Sequence, residues 1–267
     1  MKISAVIITH NEETRIADAI GSLSFADEII VVDSNSEDST GDIAKNLGVR
    51  TIVRDWPGFS AQKQFGVDSA SNDWIFSLDA DEIVGTRLQS EISAIKSAGA
   101  KADGYKIPRR SIYMGREISH SGWYPDYQLR FFDRRKGIWN GRAIHESVTM
   151  KTGSTVGTLK EDILHFSVQD AAHHHRMIGE RYAPLSARQM FENGRRTSPL
   201  GVATSGAAAF FSSYILKIGF LDGFPGFCIA RFAAHHAYLK HLMLWELQQD
   251  RHNAASDVTT NQKAETS

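Results

Sequence analysis

Short apolar runs alternate with amphipathic stretches through the first hundred residues of the chain. Runs at 3–8, 28–32, 50–54, 74–78 and 104–107 read as strands, and three are almost wholly apolar, as strands buried on both faces are. Between them Ile16, Ala19, Ile20 and Leu23 recur at helical spacing, as do Leu88, Ile92 and Ile95, so each stretch offers one apolar stripe to a sheet. Ser39, with Asp42 three positions on, predicts a capped start for the second helix. The whole predicts an α/β fold: a Rossmann-like, mostly parallel sheet with helices on both faces. After residue 108 the pattern changes to short aromatic-rich segments, which predict irregular hairpins and loops. From about Val168 the chain turns helical again, with apolar stretches interrupted by Lys217, Asp222 and Arg231. None reaches the roughly 18 to 20 uninterrupted apolar residues of a spanning helix, so this extension is expected to lie on a membrane rather than cross it. The polar end of the chain, 251–267, reads as a disordered tail.

Composition narrows the chemistry. With 267 residues, 23% charged and 42% hydrophobic, the chain can bury a large core as one big domain or as a domain with an appendage. Its single cysteine, Cys228, excludes a disulfide framework and a thiolate metal site, so any metal must sit on oxygen or imidazole. The six apolar residues at 3–8 are too few for a signal peptide, which points to the cytosol. Charge is unevenly spread: residues 1–104 carry 9 basic and 17 acidic side chains, whereas 105–145 carry 9 and 3. That asymmetry reads either as solvated faces that differ or as a carboxylate site for a cation beside a basic surface for an anionic partner.

In an open parallel sheet, ligands gather beyond the carboxyl ends of the strands. The first strand is followed by Thr9, His10, Asn11, Glu12 and Glu13; the second by Asp33, Ser34, Asn35, Ser36 and Asp38; the fourth by Asp79, Ala80, Asp81 and Glu82. On extended chain the spacing of Asp79 and Asp81 lets one carboxylate face a divalent cation while the other reaches a neighbouring hydroxyl. The competing reading makes Asp81 or Glu82 an N-cap for the helix that begins near Thr86. Neither G-x-G-x-x-G nor G-x-x-x-x-G-K-[ST] occurs, so a diphosphate would have to be held by a metal.

The blocks T-H-N-E, V-V-D-S-N-S-E-D-S-T and W-I-F-S-L-D-A-D-E, in that order, resemble the donor-binding half of family 2 glycosyltransferases, which have the GT-A fold. S-A-Q-K-Q-F-G, G-W-Y-P-D-Y-Q-L-R-F-F, N-G-R-A-I-H-E and G-F-L-D-G extend the resemblance to about residue 249, toward bacterial lipopolysaccharide core β-glycosyltransferases. The resemblance implies a donor half at 1–108, an acceptor and catalytic half at 109–167, and a helical region at 168–250. It implies that Thr9, His10, Asn11 and Glu12 line the nucleotide pocket and that Asp33 bonds the uracil edge. Asp79, with Ala80, would meet the ribose or metal, and Asp81 would ligate Mg2+ or Mn2+ bridging the phosphates. Family members usually carry an acid or glycine directly after the first Asp of the uracil block, where this chain has Ser34 and Asn35.

Transfer with inversion needs a base that takes the proton of the attacking hydroxyl, and Asp126 is the candidate. Trp123, Tyr124 and Tyr127 around it could pack on sugar faces; the alternative makes Asp126 a brace for Arg130. His145 is a candidate third metal ligand, with Glu146 orienting it or serving as base instead; the alternative for His145 is a core histidine. Lys63 either neutralises a phosphate oxygen or is a solvated lysine at a helix start. His173, His174 and His175 are consecutive on a helix and cannot converge on one ion, so they read as a polar face. Arg134, Arg135, Lys136 and Arg142 suit a phosphorylated acceptor or anionic headgroups, and no nucleic-acid recognition module is present. The expected activity is a metal-dependent, inverting hexosyl transfer from a UDP-hexose to a lipid-linked or phosphorylated saccharide at the cytoplasmic face of the inner membrane. The resemblance suggests glucose as the hexose and the lipopolysaccharide core as the acceptor. Two other readings are weighed. A sugar-phosphate nucleotidyltransferase would need a Gly-rich, Arg-containing loop where this chain has T-H-N-E-E-T-R, and a non-catalytic saccharide-binding module would rely on the 123–127 aromatics.

Overall fold

The computed structural model describes residues 1–141 and 146–264, those from 251 onward by backbone alone. His145 and Arg142 therefore lie outside the described residues. The chain forms two units, one of Met1–Ile112 with Tyr124–Ser167, the other of Tyr113–Trp123 with the chain from Val168 onward.

In the first unit the strands are β1 (Ile3–Thr9), β2 (Glu28–Asp33), β3 (Arg50–Val53), β4 (Trp74–Asp79), β5 (Glu82–Val84) and β6 (Gly104–Tyr113, whose last residue falls in the second unit). After the two-residue β7 (Arg116–Glu117) of the second unit come β8 (Asp126–Asp133), β9 (Gly137–Trp139), β10 (Val148–Met150), β11 (Val156–Thr158) and β12 (Ile163–His165). Helices α1 (Ile16–Gly21), α2 (Thr40–Asn46), α3 (Phe59–Ser69) and α4 (Thr86–Ala98) connect the early strands. The sheet order is β3-β2-β1-β4-β8-β6-β12-β5. Strands β3, β2, β1 and β4 run parallel, β8 is antiparallel to both β4 and β6, and β12 is parallel to β6 but antiparallel to β5.

Every residue of β1 is buried, because alternate side chains serve different cores. Ile3, Ala5 and Ile7 pack with Ile16, Ala19, Ile20, Leu88 and Ile92, the stripes of α1 and α4, on one face. Val6 and Ile8 pack with Val32, Val67 and Phe132 on the other, where α3 lies. Full burial of one such aliphatic side chain is worth about 1.5–3 kcal/mol, so this two-sided strand anchors the unit.

In the first unit two details depart from the sequence reading, and a third decides between its alternatives for Asp81 and Glu82. The aromatic-rich stretch after residue 108 is not a set of peripheral loops: β8 enters the middle of the sheet, where Phe131 and Phe132 are fully buried on opposite faces. Its alternating pattern is masked by the arginines and acids it carries inward. Ser39 stands at the N-cap of α2 without capping it through its side chain, and Asp38 instead accepts from the Thr40 N–H at 3.0 Å. Helix α4 begins after Gly85, with no side-chain cap, so neither Asp81 nor Glu82 is an N-cap.

The second unit holds α5 (Ala171–Arg176), a π turn at Met177–Tyr182, α6 (Ala183–Glu192), α7 (Pro199–Phe211) running into a π turn at Ser212–Leu216, a 3-10 turn at Gly219–Asp222, and α8 (Gly223–Ala264). Of the three consecutive histidines, His174 is buried against the Phe232 ring at 3.9 Å, so they do not form a polar face. The α8 backbone runs to Ala264. The 18 residues Pro199–Leu216 contain no charge and reach a mean hydropathy of 1.2, so this stretch does have the length and composition of a span that the sequence reading denied it.

Helix α3 approaches the sheet through Gly66, where a Cβ would lie 2.3 Å from Val6 Cγ1 and 3.2 Å from Val32 Cγ2. Gly66→Ala should lower stability by about 1–3 kcal/mol, and Val6→Ala in the same chain should recover part of the loss. Urea denaturation measures both, and an unshifted midpoint for Gly66→Ala would refute this packing.

Candidate functional site

The sheet register levels Thr9 with Asp33 and Ile8 with Asp79, so the exits of β2, β1 and β4 open side by side at one edge. The first two loops are laced together. The Asn11 N–H donates to Ser36 Oγ at 2.9 Å, the Glu12 N–H to Thr40 Oγ1 at 2.7 Å, and the Glu37 N–H to Asn11 Oδ1 at 2.8 Å. His10 Nδ1 meets the Ser34 carbonyl at 3.0 Å. Asn11 and Asn35 take φ values of 55° and 56°, a left-handed conformation that asparagine tolerates better than most residues. Asp33 is buried and accepts from the Ser36 hydroxyl. Ser34 and Asn35, the departure from the family pattern, belong to this scaffold: Gln62 Nε2 donates to Ser34 Oγ at 3.0 Å, and Asn35 Nδ2 to Asp55 Oδ1 at 2.8 Å. Thr9 Oγ1 and Gln62 Oε1 are buried with no hydrogen-bond partner, the kind of orphan polar atom that marks a ligand edge.

Beyond β4 lies a cluster of charges. Asp79 Oδ1 sits 2.9 Å from Lys63 Nζ, and its Oδ2 accepts from Arg130 at 2.7 Å. Burial alone would raise the pKa of Asp79, but the charges of Arg130 and Lys63 more than offset it and hold the carboxyl far below the usual range. Glu82 has no exposed surface; it accepts from Arg130 at 2.8 Å, from Arg109 at 3.2 Å and from the Asp79 N–H at 3.0 Å. Burial disfavours the Arg130 cation, yet Asp79 and Glu82 outweigh that and push its pKa up. In such a buried network, removing one member strands its partner's charge at a cost of about 3–5 kcal/mol.

Lys63, on α3, is neither solvated nor free for a phosphate: its side chain is 3% exposed, bridges Asp79 and Glu146 (3.3 Å), and lies 4.9 Å from the Trp139 ring centre. Asp126 opens β8 and braces Arg109 rather than Arg130, accepting at 2.9 and 2.6 Å on Oδ2 while Gln128 donates to Oδ1 at 2.7 Å. The aromatic trio divides between the units. Trp123 packs edge-on to Tyr113 in the second, while Tyr124, in the first, lies under Arg110 at 3.9 Å and donates to Asp162 at 3.0 Å.

Asp81 stands apart from the cluster. Two residues on from Asp79, its carboxylate is 28% exposed and meets His165 Nε2 at 3.3 Å. Burial and then the charge of Asp81 raise the Glu12 pKa to about 7, against the pull of Arg15. Oxygen and imidazole donors of this kind suit a hard divalent cation. Among the described residues no group of three His, Cys, Asp or Glu gathers as a cation cage.

Arg109 and His165 escaped the sequence reading, which named Glu82 only as a strand-exit acid or N-cap and Arg130 only as a partner for Asp126. The excess of basic residues over 105–145 was the one available signal for the arginines. His165 becomes visible only through the pairing of β12 with β5, which sets it opposite Glu82.

Known proteins resemble this chain over most of its length. Residues 4–155 match the family model described as Glycosyl transferase family 2. An uncharacterized glycosyltransferase of Rickettsia bellii is 31% identical over 259 residues, 92% of this chain and 87% of that one. LpsC of Rhizobium meliloti, a lipopolysaccharide core biosynthesis glycosyltransferase, is 27% identical over 92% of this chain and 93% of its own length. Glucosyl-3-phosphoglycerate synthase of Mycobacterium tuberculosis, in a crystal structure with Mn2+, UDP and glucosyl-3-phosphoglycerate, is 27% identical over 43% of this chain and 44% of that one, with a TM-score of 0.35. With more than half its length on the family model and a relative at 31% identity over 92% of its length, the chain belongs to glycosyl transferase family 2 and has its GT-A fold.

Proposed function

We propose that the protein transfers a hexose, with inversion, from a UDP-sugar to a saccharide carried on a membrane lipid, at the cytoplasmic face of the inner membrane. The observation that carries this reading is the split of the two aspartates after β4: Asp79 is already neutralised by Lys63 and Arg130, whereas Asp81 is partly exposed and, among the described residues, pairs with an imidazole. Asp33 is an acceptor-only group suited to a base N–H, and the laced loops at Thr9, His10, Asn11 and Glu12 shape the nucleotide pocket. Asp81, with His165 beside it, would hold Mg2+ or Mn2+. The ion would supply charge stabilisation for the departing diphosphate. A relative concerned with lipopolysaccharide core biosynthesis supports an acceptor of that class, with glucose as the hexose the resemblance suggests.

For the base, Glu146 is the better choice. Asp126 has both oxygens engaged by Arg109 and Gln128, and such charge-assisted bonds stabilise the carboxylate against taking a proton. Glu146 is 24% exposed, and its recorded partner is Lys63 through Oε1. It would accept the proton of the acceptor hydroxyl as that oxygen attacks the anomeric carbon and the diphosphate leaves from the opposite face. Asp126 and Arg109 then serve to hold the acceptor side of the sheet.

Three outcomes are expected. Asp81→Asn should abolish Mn2+-dependent UDP binding in calorimetry while leaving the circular dichroism spectrum unchanged, and binding at the native level would remove the central residue. Glu146→Gln should lower kcat by about 10²–10⁴-fold with KM little changed, and Asp126→Asn should cost less; the reverse order in steady-state UDP release would exchange the two roles. Because Glu12 holds its proton until about pH 7 and a cation beside Asp81 would displace it, Mn2+-dependent UDP affinity should rise as pH climbs through that value. Glu12→Gln should flatten the rise.

A further inference from the structure

Exposed large apolar side chains concentrate at one corner of the second unit, where α7 turns into α8. Leu216, Phe224 and Leu221 are 68%, 65% and 58% exposed, and Phe211, Ile215 and Phe220 are open beside them. Surfaces meant only for water rarely keep such a patch.

The corner is a built turn. Asp222, buried, accepts from the Ser119 and His120 N–H groups at 3.2 and 2.9 Å and pairs with His120 Nδ1 at 2.8 Å. The Ser121 N–H donates to the Lys217 carbonyl at 3.0 Å. A Cβ on Gly226 would lie 1.9 Å from the Gly219 carbonyl oxygen, and one on Gly219 would lie 2.4 Å from Ser121 Oγ. Polar groups and glycines thus fill the inner side of the turn, and the large apolar side chains are held outward.

Charge selects the occupant. From Pro199 to Arg231 the chain carries Lys217, Asp222 and Arg231, and the acid is the buried one, so the charge this segment offers outward is positive. A second copy docked on the same patch would bring these cations together with no acid of the segment to meet them. Anionic lipid headgroups above an acyl layer match both features. Helix α7 does not stand free as a separate span, because Gly206 lets it approach α8 closely, its Cβ position lying 3.2 Å from the Ala234 carbonyl oxygen.

We infer that the α7–α8 corner, led by Leu216, Leu221 and Phe224, inserts into the boundary between headgroups and acyl chains of an anionic membrane, with Lys217 and Arg231 at the phosphates. The inference rests on the reading that the acceptor is lipid-borne, and its test is separable from transfer. Full-length protein should sediment with vesicles of phosphatidylethanolamine and phosphatidylglycerol far more than with phosphatidylcholine alone. Leu221→Glu with Phe224→Glu should reduce that binding about tenfold or more, while Leu47→Glu on the first unit should not change it. Phe220→Trp fluorescence should be quenched by brominated lipid. Undiminished binding of the double variant, an unquenched tryptophan, or retention of the protein after an alkaline wash, as for a spanning helix, would overturn the inference. So would light scattering that shows a dimer broken by the same two substitutions. Wild-type protein that ignores vesicles yet releases UDP with a delipidated acceptor overturns the insertion and leaves transfer standing. Vesicle binding without UDP release from any UDP-hexose overturns transfer instead.

Discussion

The organisation of the first unit turns on a buried compensation of charge. Arg130 and Lys63 are almost wholly removed from water, and they can remain charged there only because Asp79, Glu82 and Glu146 face them. The same contacts tie α3, β4, β5 and β8 together at the sheet's carboxyl edge. Buried apolar packing could have joined these elements as firmly. What ion pairs add is direction, because a guanidinium fork and a carboxylate meet in few orientations.

That compensation separates two aspartates only one residue apart from being neighbours. On extended chain residues two apart would share a face, but Ala80 and Asp81 form a turn between β4 and β5, so Asp79 pairs with the cationic cluster while Asp81 meets His165. One carboxylate becomes part of the scaffold and the other stays open to solvent and cation. Glu12, from the first loop, has its pKa raised to about 7 by burial first and by the charge of Asp81 second. A doubly charged ion held at Asp81, as proposed, would offset the negative charge gathered there.

The second unit follows a different logic. Its polar ties run inward, from Asp222 to the 119–120 backbone, and its apolar residues point outward at the α7–α8 corner. The first unit does the reverse, with aliphatic side chains in two cores and charge gathered at one edge.

Local periodicity was enough to mark β1, β2, β4, α1 and α4, since each buries a face set by the chain's own repeat. The acid-rich exits at Glu12, Asp33, Asp79 and Asp81 were legible for the same reason: an apolar run ends and polar residues follow at the sheet's edge. Pairings across long stretches of chain were not legible. Arg109 meets Asp126 across 17 residues because β6 and β8 align there, and Asp81 meets His165 because β12 returns beside β5. No local repeat encodes which distant strand becomes a neighbour. So the sequence by itself determined that the chain builds a parallel sheet with carboxylates at its carboxyl edge. Tertiary structure alone decided which carboxylate is neutralised and which is left open, because neutralisation depends on cations delivered from elsewhere in the fold.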